Sequence, residues 1–120
     1  MQIDPIDKKA VDKAKKSLPP DQIFEIVVEV FKALGDATRL KILYALQNRP
    51  LSVRDIAIIA EISESAISHQ LSHLKEKQLV KSEREGNVMY YSISYQHVHN
   101  LLREAEYYAD HILKGYPDHR

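Results

Sequence analysis

Six histidines and no cysteine make imidazole nitrogens the best candidate bases and metal ligands of the chain. The absence of cysteine excludes a disulfide scaffold, a thiolate zinc cluster and a thiol redox sensor. His69 and His73 are four residues apart, a spacing at which two helical histidines can share a metal ion. No third ligand accompanies them in the sequence, so we assign no metal site to this pair.

Catalytic motifs are absent from the sequence. It contains no glycine-rich phosphate loop, no cysteine nucleophile, and no serine, histidine and acid set within a recognisable motif. We therefore predict that the chain is not an enzyme.

Small polar residues open a predicted helix at residue 63, and their spacing suits contact with DNA. A recognition helix places short hydrogen-bonding side chains near its amino end, where it meets base edges. Ser65, Ser68 and His69 share one helix face. Glu64 can accept from a cytosine amino group but repels phosphates, which suits discrimination. The alternative is that Ser63 and Glu64 only cap the helix and that the other polar residues are solvated.

Apolar residues at helical spacing predict five helices before residue 79. The helices are predicted at residues 4–16, 21–34, 36–47, 52–60 and 63–78. Asp4 with Pro5, Asp21, Asp36, Ser52 and Ser63 are the predicted N-caps. A left-handed stop is predicted at Gly35. The three-residue link 61–63 joins the last two helices into a helix-turn-helix pattern.

The hydrophobic period then changes to two, which predicts strands at residues 79–84 and 88–93 around a Gly86-Asn87 turn. A last helix is predicted from about Tyr95 to Lys114, with Gly115 as its stop. The predicted fold class is mainly α with a β-hairpin wing. It is a winged helix-turn-helix in the order α-α-α-α-α-β-β-α.

The charge balance gives little guidance. Lysine plus arginine and aspartate plus glutamate both number 17, whereas nucleic-acid-binding proteins usually carry a basic excess. Only the first 16 residues are biased, with five lysines against three aspartates. We interpret this bias as a solvated helix face, with a DNA-binding arm as the alternative. A prediction of DNA binding therefore depends on the motifs.

Three stretches carry such motifs in order. Residues 31–43 read Phe-Lys-Ala-Leu-Gly-Asp-Ala-Thr-Arg-Leu-Lys-Ile-Leu, and residues 63–71 read Ser-Glu-Ser-Ala-Ile-Ser-His-Gln-Leu. Residues 80–91 include Arg84, Gly86 and the pair Tyr90-Tyr91. Together they resemble the entry signature, recognition helix and wing of the ArsR/SmtB family of winged helix-turn-helix repressors. The resemblance extends over about residues 25–112.

The resemblance implies a homodimer that binds double-stranded DNA at a palindromic operator. It also implies a dimer interface built from the first and last helices of the domain. The last helix agrees, because it is more apolar than a small core requires. Its apolar residues are Val98, Leu101, Leu102, Ala105, Tyr108, Ala109 and Ile112.

The resemblance also favours DNA contact for the recognition-helix residues. We assign Ser63, Glu64, Ser65, Ser68 and His69 to the DNA-binding surface, with Ser63 mainly as the cap.

In the wing, Arg84 suits a minor-groove or phosphate contact, although Glu83 and Glu85 flank it and weaken the local potential. The alternative is a solvated hairpin tip.

Many members of the family release DNA when a transition metal binds between the last helices of the two protomers. Their ligand pattern is Asp-x-His near the helix start and His-x-x-His or His-x-x-Glu eleven residues later. His97 and His111 match two of these four positions, whereas Tyr95 and Tyr108 occupy the others. Tyrosine is a poor ligand for these metals compared with imidazole or carboxylate.

Three effector hypotheses therefore stay open: a retuned metal site, a non-metal effector, or no small effector. A retuned site for Zn(II), Co(II) or Ni(II) would use His97 and His111 as tentative ligands. Its shell would need a further ligand from Asp110, Glu104, His99 or His119. The alternative role for His97 and His111 is hydrogen bonding between interface helices.

The length of 120 residues suits one compact domain. We predict a helical extension over residues 1–20, a winged helix-turn-helix DNA-binding and dimerisation domain over 21–114, and a tail over 115–120.

A membrane span needs about 20 consecutive apolar residues, and no apolar run in the sequence approaches that length. The first residues also lack the apolar core of a signal peptide. We expect a soluble cytoplasmic protein with no membrane partner. A winged-helix protein-interaction module is the alternative function, and the neutral charge fits it.

Overall fold

The structure is a computed structural model that describes residues 3–115. Within these residues it contains six helices and one three-stranded sheet. The elements are α1 (Lys8–Ser17), α2 (Asp21–Leu34), α3 (Ala37–Ala45), β1 (Leu51–Ser52), α4 (Val53–Ala60), α5 (Glu64–Glu76), β2 (Val80–Glu85), β3 (Val88–Ile93) and α6 (Gln96–Lys114). The predicted fold class and element order are confirmed, with β1 as an addition.

The core is formed by α3, α4, α5 and parts of the hairpin and α6, and it fixes the rotation of α5 about its axis. Ile67, Leu71 and Leu74 on the inner side of α5 have no exposed surface. They belong to one cluster with Ile42 and Ile56. Burying each such side chain contributes about 1.5–3 kcal/mol. Because the three α5 positions follow helical spacing, their burial leaves the opposite side of α5 in solvent.

Three side-chain caps set the starts of α3, α4 and α5, as predicted. Asp36 Oδ2, Ser52 Oγ and Ser63 Oγ each accept a hydrogen bond from the backbone N–H three residues on, at 2.9, 3.2 and 3.1 Å. Each bond satisfies one of the N–H groups that a helix start leaves without an intrahelical partner. The caps are local, so they could be identified from the sequence.

The wing is an antiparallel hairpin of β2 and β3. Its register pairs Glu85 with Val88 across the two-residue turn, and Gly86 has a φ of 62°, which favours glycine. The sequence analysis missed β1, which pairs Leu51 with Tyr91 at the outer edge of β3. A strand of two residues is too short to show a period of two, so only the tertiary pairing reveals it.

Two predicted helix starts are wrong. Helix α1 begins at Lys8, not at Asp4 and Pro5, because the carboxylate of Asp7 accepts from the Ala10 N–H at 3.0 Å and caps the helix there. Asp21 is the first residue of α2 and does not cap it, since the preceding Pro20 holds the N-cap position.

Three predicted helix ends also differ. Helix α3 ends at Ala45, two residues before the predicted end, with Leu46 as its C-cap. Gly35 has a φ of −78°, so it is not a left-handed stop. Its N–H donates to the Phe31 and Lys32 carbonyls, and Asp36 opens α3 at once, which leaves no room for a left-handed turn. Helix α5 ends at Glu76, because Gln78 adopts a left-handed φ of 60° before β2.

Two polar contacts tie α6 to α3 and to the segment that follows α3. The Tyr44 hydroxyl donates to the Leu102 carbonyl at 2.7 Å, and His99 Nδ1 is hydrogen-bonded to Gln47 Oε1. Burial raises the pKa of Tyr44 above its ordinary 10.0, and the negative charge of Glu106 adds to this rise. The phenol therefore stays protonated and keeps its donor at neutral pH.

Helices α1 and α2 expose much of their apolar surface. No residue of α1 is buried, and only Ala33 of α2 is buried. The radius of gyration is 18.9 Å, whereas a compact domain of this length has about 14 Å. The predicted boundary at residue 20 lies between α1 and α2 and remains a prediction. Residues 116–120, which hold most of the predicted tail and His119, lie outside the described residues.

Across residues 3–115, no helix is both long and apolar enough to cross a membrane.

Asp36→Ala should lower the free energy of unfolding by about 1 kcal/mol, because it removes the cap of α3. The pKa of Asp36 lies below 3.8, mainly because the Arg39 backbone N–H donates to the ionised carboxylate. A lowered folded-state pKa gives stability that is present above the unfolded pKa and lost as the pH falls. Urea unfolding should therefore show the difference from wild type at neutral pH and a smaller one below pH 3.8.

Asp36→Asn is the matched control, since its amide oxygen can still accept the bond but carries no charge. Its loss of stability at neutral pH should be smaller than that of Asp36→Ala, and it should shrink toward zero below pH 3.8, where the wild-type carboxyl also loses its charge. Equal losses for the alanine and asparagine variants at every pH would show that the carboxylate does not act as the cap.

Candidate nucleic-acid interface and candidate metal ligands

A tight turn joins α4 to α5 and sets the angle between them. Glu61 adopts a left-handed φ of 59°, and the Ile62 N–H donates to the Ala57 carbonyl at 3.2 Å. Ser63 follows as the N-cap of α5. The two helices and this link form the predicted helix-turn-helix.

The polar face of α5 is exposed to solvent. Ser65, Ser68 and His69 are exposed on the side opposite the buried row of the helix. The structure therefore brings these three predicted residues onto one accessible surface. Ser63 acts as the cap, which supports the structural part of its assignment. Contact of these residues with DNA remains a prediction.

One ion pair at this surface was missed by the sequence analysis. Arg54 Nε lies 3.6 Å from Glu64 Oε2, and both side chains are more than half exposed. Arg54 is the second residue of α4 and Glu64 is the first of α5. The only sequence signal for the pair is that both residues open helices of one helix-turn-helix. The link geometry then decides whether they meet.

The wing stands beside α5 and is tied to it. Lys75 Nζ near the end of α5 donates to Ser82 Oγ of β2 at 2.7 Å. Arg84 is exposed next to the hairpin turn, opposite Met89 in the register. The structure thus places Arg84 at an accessible tip, which fits both a contact with DNA and a solvated hairpin. Its contact with DNA remains a prediction.

A mostly apolar groove of about 1110 Å³ runs between α2, the turn from α5 to β2, and the start of α6. At its edge Lys77 Nζ lies 3.8 Å from Glu29 Oε2, so an ion pair joins the end of α5 to α2. Tyr95 and His97 line the same groove. This groove continues the exposed apolar surface of α2 and α6.

The candidate metal ligands lie far apart within one chain. His97 is exposed near the start of α6, whereas His111 lies 14 residues on, about 21 Å along the helix axis. Among residues 3–115, no three histidine, aspartate or glutamate side chains come together in a group that could hold a metal ion. The described part of one chain therefore supplies His97 and His111 as two separate imidazoles, and it contains no complete site.

The geometry of His111 suits a metal ligand. Its Nδ1 lies 3.1 Å from the Tyr107 carbonyl oxygen, which can only accept, so Nδ1 is the donor in this contact. Metal-binding histidines commonly donate their second ring N–H in this way. The Tyr107 and His111 rings also contact each other, with centroids 4.5 Å apart. These contacts fix the orientation of His111.

Comparison with known protein sequences gives one family match and several relatives. Residues 36–82 match the family described as bacterial regulatory protein, arsR family. The HTH-type transcriptional regulator KmtR of Mycobacterium tuberculosis is 35% identical over 90% of this chain and 82% of its own. The cadmium resistance regulatory protein CadC homolog of Staphylococcus aureus is 41% identical over 83% of both chains. The transcriptional repressor SmtB homolog of Synechocystis is 45% identical over 72% of this chain and 63% of its own.

Comparison with solved structures also finds transcriptional regulators. A homodimeric winged helix-turn-helix DNA-binding domain from Mycobacterium bovis, described as a possible ArsR-family regulator, superposes with a TM-score of 0.76. It is 31% identical and covers 83% of this chain and 93% of its own. The antimony-specific transcriptional repressor AntR has a TM-score of 0.72 and 28% identity, over 82% of this chain and 88% of its own.

The chain thus combines the motif of residues 31–43, the exposed polar face of α5 and the adjoining wing. Its relatives match it over most of its length. The chain belongs to the ArsR family of bacterial regulatory proteins, and its fold is the winged helix-turn-helix.

Proposed function

We propose that the protein is a homodimeric, sequence-specific DNA-binding transcriptional repressor that acts in the cytoplasm. The observation that carries this proposal is the solvent-exposed polar face of α5, which lies next to the wing. This face points outward because Ile67, Leu71 and Leu74 on the other side of the helix are buried. The names of the relatives, which include transcriptional repressors, support it. The same observations favour a regulator with no enzymatic activity.

The proposed DNA contacts follow from the docking of helix-turn-helix proteins. The amino end of the recognition helix contacts base edges in the major groove, while the preceding helix crosses the backbone. Ser65, Ser68 and His69 would read bases, and Ser63 and Glu64 would lie where α5 enters the groove. Arg84 at the wing tip would contact the adjacent minor groove or a phosphate.

The proposed dimer would bury the exposed apolar faces of α2 and α6. Ile26 and Phe31 on α2 are 62% and 58% exposed, and Tyr108 and Ile112 on α6 are 66% and 64% exposed. Apolar patches this extensive are unusual on a monomer. Val98 and Leu102 of the predicted interface set are instead buried in the core of the single chain. The homodimeric neighbour from Mycobacterium bovis supports this assembly.

In this proposal the domain over residues 21–114 carries both DNA binding and dimerisation. The residues before 21 would be its amino-terminal extension, and those after 114 would be its tail.

A transition metal ion as the effector is a second part of the proposal, favoured by the orientation of His111. His97 of one protomer and His111 of its partner would hold the ion, and tyrosine occupies the other two positions of the family pattern. When bound, the ion would supply ligand bonds between the two α6 helices. Two relatives bear the names of cadmium and antimony regulators, which supports a metal or metalloid as the effector class.

The test of the proposed function is binding to the DNA upstream of the protein's own coding sequence, measured in a series of salt concentrations. A DNA-binding repressor releases counterions from phosphates, so its affinity falls steeply as salt rises. A winged-helix module that docks on proteins would show neither binding nor this slope.

Ser68→Ala and His69→Ala should each weaken operator binding by about 1–3 kcal/mol, because each removes a contact to a base edge. Arg84→Ala should weaken binding to all duplexes alike and reduce the salt slope by about one. Fluorescence anisotropy with operator and unrelated duplexes measures both effects. Ser72→Ala, one turn beyond Ser68 on α5, is the control. Wild-type operator affinity in both recognition-helix variants would contradict the assignment.

Wild-type protein should sediment as a dimer at micromolar concentration. Ile112→Glu should shift it toward the monomer, because the substitution places a charge in the proposed apolar interface. Ile58→Glu is the matched control, since Ile58 is 69% exposed on α4, outside that interface. Analytical ultracentrifugation distinguishes the states, and circular dichroism confirms folding. A monomeric wild-type protein would refute the dimer and the palindromic operator together.

Zinc, cobalt or nickel should bind the wild-type dimer tightly, and His97→Ala should weaken that binding by more than the roughly tenfold that loss of an outer-shell partner costs. Isothermal titration calorimetry measures this change. His73→Ala is the control, because it removes an exposed histidine outside the proposed site. Micromolar or weaker affinity that His97→Ala leaves unchanged would show that His97 is an interface residue without a metal role.

A further inference from the structure

Arg54 and Glu64 form an ion pair in the middle of the proposed DNA-binding surface. The distance from Arg54 Nε to Glu64 Oε2 is 3.6 Å, and the two side chains are 78% and 56% exposed. Arg54 extends from the first turn of α4, and Glu64 extends from the first turn of α5. The pair therefore bridges the two helices of the helix-turn-helix at their amino ends.

This pair is poorly suited to stabilising the fold. Exposed ion pairs contribute little to folding, because water and salt screen the attraction. The starts of α4 and α5 are already fixed by the Ser52 and Ser63 caps, and the buried row of α5 sets its rotation. The same weakness means that the pair separates easily when either side chain finds a better partner.

The two residues face different parts of a bound duplex. In helix-turn-helix docking the first helix crosses the phosphate backbone, so Arg54 on α4 is placed toward phosphates. The start of the second helix meets base edges, so Glu64 on α5 is placed toward bases. While the pair is closed, the carboxylate cancels the charge that Arg54 would offer to a phosphate.

We propose that Glu64 masks Arg54 until a matching base pair engages Glu64, which makes the ion pair a specificity device. On the operator the Glu64 carboxylate accepts a hydrogen bond from a base amino group, and Arg54 is released to a phosphate. On other sequences no such donor is in reach, the pair stays closed, and Arg54 adds no phosphate contact. This inference rests on the proposed DNA-binding function and adds a regulation of its recognition site.

The test is a double-mutant cycle of Glu64→Gln and Arg54→Gln on two duplexes. One duplex is the sequence that the wild-type protein selects from a random pool, and the other is unrelated. Glu64→Gln should strengthen binding to the unrelated duplex and steepen its slope of log K against log salt by about 0.9, the value for one more phosphate contact. The ratio of operator to unrelated affinity should fall about tenfold, which lies within the discrimination of one base contact.

Arg54→Gln should behave differently in the two backgrounds. In the wild-type background it should weaken operator binding and leave the unrelated duplex unchanged, because there the charge is masked. In the Glu64→Gln background it should reverse the gain on the unrelated duplex. Glu76→Gln is the matched control, since it removes one negative charge from the exposed last residue of α5, at the end of the helix opposite Glu64. It should not change the affinity ratio.

Additive effects of the two substitutions on the unrelated duplex would overturn the masking proposal. So would an Arg54→Gln variant that weakens both duplexes equally in the wild-type background. In either case wild-type protein would still bind DNA with a steep salt slope, and the repressor function would stand. A wild-type protein with no salt-dependent DNA binding would instead refute the proposed function, and the masking with it.

Discussion

The burial of Ile67, Leu71 and Leu74 is the constraint on which the rest of the site depends. These three side chains have no exposed surface and contact the core formed by α3 and α4. Leaving any of them in water would cost about 1.5–3 kcal/mol, and turning a polar residue of the opposite face into the core would add the cost of removing it from water. The rotation of α5 is thereby fixed, and the polar residues 65, 68 and 69 must face solvent. The proposed DNA-reading surface is thus set up by apolar packing.

Local features of this architecture could be predicted from the sequence, and non-local ones could not. The Asp36, Ser52 and Ser63 caps depend on atoms three residues apart, and the hairpin turn depends on Gly86. Strand β1 exists only because β3 lies beside it, although the two are about forty residues apart in the chain. The contact between Arg54 and Glu64 likewise depends on the angle that the turn at residues 61–63 sets between two helices.

The helix-turn-helix is attached to the helices that would form the dimer. Lys77 at the end of α5 pairs with Glu29 of α2, and the Tyr44 hydroxyl of α3 bonds to the Leu102 carbonyl of α6. A shift of α2 against a partner subunit would therefore act on the end of α5, and a shift of α6 would act on α3. With the proposed effector site on α6, the Tyr44 contact would join that helix to α3, whose Ile42 shares the core with Ile67 of α5. In the proposed dimer, these contacts would transmit a change in the interface to the spacing between the two recognition helices. That spacing must match the distance between successive major grooves for both helices to bind DNA.

The neutral net charge bears on how the proposed repressor would distinguish its operator from other DNA. With 17 basic and 17 acidic residues, the protein has no strong overall field to draw it to every phosphate backbone. Non-specific binding depends on the number of cations that are available to phosphates, so acidic partners near the DNA-binding surface reduce it. Glu64 beside Arg54, and Glu83 and Glu85 on either side of Arg84, stand where they would have this effect. A repressor built in this way would gain little from charge alone, and the difference between its operator and other DNA would come from the few residues of α5 that are proposed to contact the bases.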